Sequence, residues 1–171
     1  LETVVDAWRQ LSDLKDLRLM LVGDGQARDM LERELGSDPK VELLPTQDRE
    51  HLPELLAAAN VGLAPLRHGM AGTSVPCKIF GIMAAGRPVI AAVDAKSDAE
   101  ALIERAQCGV VIEPEDPAAL AQAIRALYGD RARGNQLGRN GRKYVEVVHS
   151  HDVTVDQYER MLIDVIDGHR G

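Results

Sequence analysis

Apolar residues recur along this chain in two rhythms that take turns. Leu1, Val4, Val5, Trp8 and Leu11 fall at helical spacing, which predicts an amphipathic helix over about 1–12. The run 17–22 (Leu-Arg-Leu-Met-Leu-Val) is a short apolar strand that stops at Gly23-Asp24-Gly25. Helical periodicity returns with Met30, Leu31 and Leu35 and stops at Gly36. The same alternation then predicts strand 41–44, helix 51–59, strand 61–64, helix 75–85, strand 88–92, helix 99–106 and strand 109–112. From Pro117 the strands cease. Asp116 caps a helix to about Tyr128, and two more helices follow over about 131–147 and 153–167. The last carries Val155, Tyr158, Leu162, Val165 and Ile166 as an apolar stripe.

Five strands alternating with helices imply right-handed crossovers and a parallel sheet covered on both faces. The strands are nearly continuous apolar runs, as buried parallel strands are. The expected fold class is α/β, a doubly wound parallel sheet with C-terminal helices. Ligands of such sheets bind outside the carboxyl ends of the strands. The loops to weigh are therefore 23–26, 44–47, 65–74 and 93–98.

Composition narrows the function classes. A length of 171 residues suits one domain, and the chain opens on Leu1 already inside a helical pattern, as a piece of something longer would. Aromatics make up 3% and the net charge is -7, which argues against stacking on, or electrostatic capture of, nucleic acid. Cys77 and Cys108 have no metal-ligand spacing and read as reduced thiols of a cytoplasmic chain. No run of about 18 apolar residues offers a membrane span.

Three loops could carry chemistry. Gly23-Asp24-Gly25 begins like a dinucleotide fingerprint, but Arg28 stands where its third glycine belongs and no acid ends the next strand, so a dinucleotide cofactor is disfavoured. The segment 65–74 holds Arg67, His68, Gly69, Gly72, Thr73 and Ser74 and opens a helix at Val75-Pro76-Cys77-Lys78. A helix start presents unpaired N–H groups and a positive dipole end to a phosphate, and Lys78 adds charge; taken alone, the segment reads better as a capped helix that binds nothing. His149 and His151 lack a third ligand by sequence and belong to a surface loop, with no metal expected. Arg131, Arg133, Arg139, Arg142 and Lys143 line one tail helix and would suit anionic lipid, although glycines 134, 138 and 141 weaken that helix.

Five segments come in a telling order: V-G-D-G at 22–25, V-E-L-L-P at 41–45, L-A-A-A-N-V-G-L-A-P at 56–65, M-A-A-G-R-P-V-I-A at 83–91 and C-G-V-V-I-E-P-E-D at 108–116. Their order and spacing resemble the carboxyl-terminal half of retaining glycosyltransferases of family 4, also called glycosyltransferase group 1. S-V-P-C-K-I-F-G-I-M-A-A-G-R-P resembles a bacterial exopolysaccharide branch of that family. The resemblance implies the Rossmann-like half of a GT-B fold: a single nucleotide-sugar-binding domain over 1–171, with the N-terminal acceptor domain outside this chain. It implies that Gly23, Gly25, Leu43, Leu44 and Pro45 border the nucleotide of a UDP- or GDP-sugar. Thr73, Ser74, Val75 and Lys78 would meet the diphosphate and sugar. The donor would be a substrate, with no resident cofactor, and the catalytic residues stay unassigned. The expected reaction moves a hexose to a saccharide or lipid-linked acceptor, in the cytoplasm or peripherally at the inner face of the membrane.

The sequence departs from that family at two places. Two glutamates eight positions apart usually hold the sugar and the ribose; the matching residues here are Thr73 and Gly81. The basic pair that usually meets the phosphates precedes the position of Leu1. The chain alone is therefore expected to have little or no turnover. The competing reading is a non-catalytic nucleotide- or phosphate-binding α/β module. A third, a sugar-nucleotide epimerase of the same architecture, would need an acid and histidines in the cleft.

Overall fold

The computed structural model describes residues 1–70 and 77–168. Eight helices and five strands alternate among them: α1 (Glu2–Arg9), β1 (Leu19–Val22), α2 (Arg28–Leu35), β2 (Val41–Leu44), α3 (Leu52–Ala58), β3 (Gly62–Pro65), α4 (Cys77–Ala84), β4 (Val89–Ala92), α5 (Asp98–Ala106), β5 (Gly109–Ile112), α6 (Pro117–Gly129), α7 (Arg131–Val148) and α8 (His151–Gly168). A 3₁₀ turn at Arg49–His51 leads into α3. Each strand falls within a residue or two of its place in the hydrophobic pattern. The caps are chemical as well as positional. Asp116 Oδ1 accepts from the Ala119 N–H at 2.9 Å, and Ser97 Oγ from the Glu100 N–H at 3.2 Å.

All strand pairs are parallel, but they form two sheets, β1-β2 and β3-β4-β5. The pattern predicted five strands in one parallel sheet; the strands are parallel, and their hydrogen-bonded pairs divide them between two sheets. A single helical layer joins the sheets: α1, α2 and α6 bury Val4, Trp8, Leu31, Leu120 and Leu127 together with Leu19 of β1 and Ile90 of β4. α1 packs on both α6 and α2, and the larger sheet has the order β3-β4-β5. The opposite face takes Val89, Ala91 and Val93 against α4, α5 and α7. Successive β4 residues thus serve opposite layers, and all four are buried.

α7 is where the structure differs most from the helical pattern. Gly134, Gly138 and Gly141 are buried and form its contact face. A Cβ on Gly138 would lie 2.1 Å from the Gly86 carbonyl oxygen, and one on Gly141 would lie 3.0 Å from Cys108 Cβ. The glycines lower intrinsic helix propensity, yet they let two backbones touch, and the packing outweighs the propensity. Gly86 itself ends α4 at φ +68°. The stripe on α8 stays unburied: Tyr158, Leu162 and Ile166 are more than half exposed. Among the described residues, no helix is long and apolar enough to cross a membrane.

Candidate functional site

The parallel register lines up the strand ends. The ladder runs one step beyond β1, where the Gly23 N–H donates to the Leu44 carbonyl at 3.0 Å. It does the same beyond β3, where the Leu66 N–H donates to the Ala92 carbonyl at 2.9 Å. The start of α1 belongs to this edge too. Glu2 and Arg67 form an ion pair at 3.9 Å, and they share a groove of about 430 Å³ with Thr3, Asp6, Glu115 and Pro117. Since α1 runs away from this edge before β1 returns to it, the carboxyl ends of both sheets look the same way.

The five residues expected at the nucleotide, Gly23, Gly25, Leu43, Leu44 and Pro45, come together on β1 and β2. Gly23 has φ +132°, a conformation glycine tolerates best. A Cβ on Gly23 or Gly25 would meet nothing within 4 Å, so the space above the turn is open. The turn is clamped to the next loop. The Thr46 N–H donates to Asp24 Oδ2 at 2.7 Å, and the Asp24 N–H donates to Thr46 Oγ1 at 3.3 Å. The first bond, then the hydroxyl, holds the Asp24 carboxyl below the usual carboxylate range.

Arg28 completes the clamp. Its guanidinium donates to the carbonyls of Leu44 (3.0 Å) and Leu43 (3.2 Å) and to Glu32 Oε1 (2.7 Å). The residue that spoils the dinucleotide fingerprint is thus a brace between α2 and the end of β2. Its bonds to main-chain carbonyls carry no mark in the sequence.

Across the edge, Lys78 is exposed in the opening turn of α4. Thr73, Ser74 and Val75 lie outside the described residues. Just before them, His68 Nδ1 lies 3.1 Å from Asp94 Oδ1, and the Gly69 N–H donates to Asp94 Oδ2 at 3.0 Å. Asp94 follows Val93 at the end of β4. The loop 93–98 flagged that region, but pairing with His68 needs the β3-β4 register.

Other candidates resolve differently. His149 ends α7 with its ring edge-on to Phe80, centroids 5.1 Å apart. Among the described residues no trio of His, Cys, Asp or Glu could hold a metal ion. On the basic tail helix, Arg142 is engaged by Glu146 at 2.6 Å and by the Ala84 carbonyl. Arg139 donates to Gln136 Oε1 at 2.7 Å. Cys108 is buried and its thiol is pushed up to about 11, whereas Cys77 is exposed. A larger cavity of about 740 Å³ lies at the outer edge of β5, lined by Glu100, Glu104 and Glu113, a poor seat for an anion.

The family profile of glycosyl transferases group 1 matches residues 1–130. The chain belongs to that family. Among curated relatives it is 30% identical over 162 residues to an exopolysaccharide phosphotransferase of Streptomyces coelicolor, covering 92% of this chain and 16% of that protein. Among solved structures it is similar to sucrose-phosphate synthase from Thermosynechococcus elongatus, with 25% identity, TM-score 0.75, and coverage of 98% of this chain and 42% of that one. HepE of Anabaena in complex with UDP-glucose shares the fold, with 23% identity, TM-score 0.71, and coverage of 95% and 44%. The chain thus spans about a sixth of that curated relative and under half of these two structures. As a group 1 domain it presents the strand-end edge at which α/β sheets of this kind hold their ligands.

Proposed function

We propose that this chain is the nucleotide-sugar-binding part of a retaining hexosyltransferase. The donor is a UDP- or GDP-sugar and the acceptor a saccharide or lipid-linked sugar. The observation that carries this reading is the clamp tying Gly23-Asp24-Gly25 to Leu43–Thr46, which leaves open space above two glycines at the carboxyl edge. There the backbone can approach a nucleotide closely. Thr73, Ser74, Val75 and Lys78 take the diphosphate in this reading, and its charge is neutralised by donors placed in advance. The complex of HepE with UDP-glucose favours uridine as the base. Sugar transfer itself needs an acceptor-binding part, so the chain alone has little or no turnover. Two unpaired thiols suit a cytoplasmic location.

A second reading has one observation of its own. At Gly81, where the family commonly has an acid, an added Cβ would lie 3.3 Å from Leu56 Cδ1 on α3. The position faces a neighbouring helix, which favours a non-catalytic nucleotide- or phosphate-binding module. Calorimetric titration with UDP, GDP and ADP separates the two. Binding of UDP or GDP over ADP supports the transferase reading, and no binding of any of them at millimolar concentration overturns it. Measurable sugar transfer by the isolated chain would contradict the need for an acceptor part.

A further inference from the structure

We propose that His68, oriented by Asp94, is an additional contact for the diphosphate of the nucleotide sugar: an imidazolium held at Nδ1 by a carboxylate, with its Nε2–H offered to a phosphate oxygen. The proposal rests on the nucleotide-sugar reading above and adds a residue to that site.

Position comes first. His68 lies three residues beyond β3 and Asp94 two beyond β4, on neighbouring strands at the ligand-bearing edge. Asp94 lies in the loop that leads to α5.

Geometry comes second. Each oxygen of the Asp94 carboxylate has its own task. Oδ1 faces His68 Nδ1 at 3.1 Å, and Oδ2 accepts the Gly69 N–H at 3.0 Å. Gly69 has φ +77°, so the chain turns just after the histidine while its backbone is held. A carboxylate at Nδ1 puts a proton on that nitrogen and steadies the ring when it is charged. The His68 side chain is 57% exposed and that of Asp94 22%, so the carboxylate forms the floor and the ring reaches outward. No described residue takes up Nε2.

Charge comes third. A diphosphate needs positive partners in a chain of net charge -7, and the other cations described at this edge are partly committed. Arg28 is spent on two carbonyls and Glu32, and Arg67 faces Glu2 on α1. Lys78, Lys96 and the imidazole of His68 are further described basic groups in the loops and helix start at this edge. Beside His68 and Asp94, the described titratable groups adjacent in sequence or by contact are Arg67 next to His68, Glu2 paired with Arg67, and Lys96 two residues beyond Asp94. Of these side-chain types, only imidazole ordinarily gains its charge between pH 8 and pH 5.5.

The test is calorimetric titration of the 171-residue chain with UDP-glucose, whose diphosphate diester keeps its charge across this range, and with uridine as the phosphate-free control. The parent should bind UDP-glucose about fivefold more tightly at pH 5.5 than at pH 8.0, as a partly exposed charge-assisted hydrogen bond allows. Uridine should show no such change. His68→Gln, checked for an unchanged melting temperature, should lose the pH response and weaken UDP-glucose binding at pH 5.5 by about fivefold. Asp94→Asn should shrink the response at pH 5.5. UDP-glucose binding without a pH response, or an unchanged response in His68→Gln, overturns this proposal and leaves the nucleotide-sugar reading standing. An equal loss in Asp94→Asn at both pH values would make the pair structural only and also overturn it. Failure of the parent to bind UDP-glucose at all overturns both.

Discussion

Arg28 Nη1 donates to the carbonyl of Leu44 at 3.0 Å, across 16 residues of sequence, and Nη2 reaches the carbonyl of Leu43 at 3.2 Å. One guanidinium therefore sets the main-chain position of the strand end assigned to the base. Removing it in Arg28→Ala should cost about 1–2 kcal/mol of stability, as hydrogen bonds to a charged group typically do when lost. Affinity for uridine and for UDP should fall by the same factor, since the brace acts on the base side and not on the phosphates. Arg28→Lys should recover little, because an ammonium cannot span two carbonyls as the planar fork does. Paired titrations with the two ligands check this.

Trp8, the single tryptophan, reports on an ion at the far side of the same layer. Its Nε1–H donates to Asp38 Oδ2 at 2.8 Å, while the Lys40 N–H donates to Asp38 Oδ1 at 2.9 Å. The backbone bond first, then the indole, holds the Asp38 carboxyl below the usual range. A depressed value means that the stabilisation is complete above the unfolded value of about 4 and is lost as pH falls through the lower folded value. Trp8 emission should thus stay level from pH 7 to about 4 and change only below it. In Asp38→Asn that acid change should vanish, and the decline of melting temperature with acid should be shallower than in the parent.

Gly138 and Gly129 make a matched pair of substitutions. Gly138→Ala drives a Cβ to within 2.1 Å of the Gly86 carbonyl, so α7 must lift from α4. The clash should outweigh the better helix propensity and cost about 2 kcal/mol net, a fall in melting temperature of roughly 4–8 °C. Gly129→Ala, at the end of α6, has nothing within 4 Å. It should be neutral or raise stability by up to about 1 kcal/mol. Thermal unfolding of the two variants side by side decides the matter.

The outer face of α8 has a practical consequence. Tyr158, Leu162 and Ile166 are exposed by 60%, 56% and 54%, alongside Met161 and Val165. Contiguous apolar surface of this kind promotes association. Replacing Leu162 and Ile166 together with Gln should reduce self-association in sedimentation velocity. Melting temperature should barely move, because exposed positions away from special contacts contribute little.

Much of this was legible before any tertiary contact was known. The helix over 2–9 follows from Val4, Val5 and Trp8, the β4 strand from its unbroken Val89–Ala92 run, and the α6 start from Asp116 and Pro117. Each depends on residues adjacent in sequence or one turn apart. The expected nucleotide residues came from the resemblance to glycosyltransferase group 1; of them, Gly23 and Gly25 also stand out locally as a glycine turn after a strand. His68 lay in a flagged loop but without a role, because its partner is 26 residues away. The glycines of α7 were legible only as weak points, since a helical pattern shows no neighbour.

Local hydrophobic period and turn chemistry by themselves determined the elements of this protein, their succession and the strand ends at which its loops gather. Those depend on short-range sterics and on which face each segment must hide from water. Only the tertiary structure decided that the strands part into two sheets and that Arg28 braces Leu43 and Leu44. It alone showed that Gly138 meets Gly86 and that Asp94 holds His68. Those relations arise between segments 15 to 52 positions apart, where the backbone of one supplies the surface or the oxygen that the other requires.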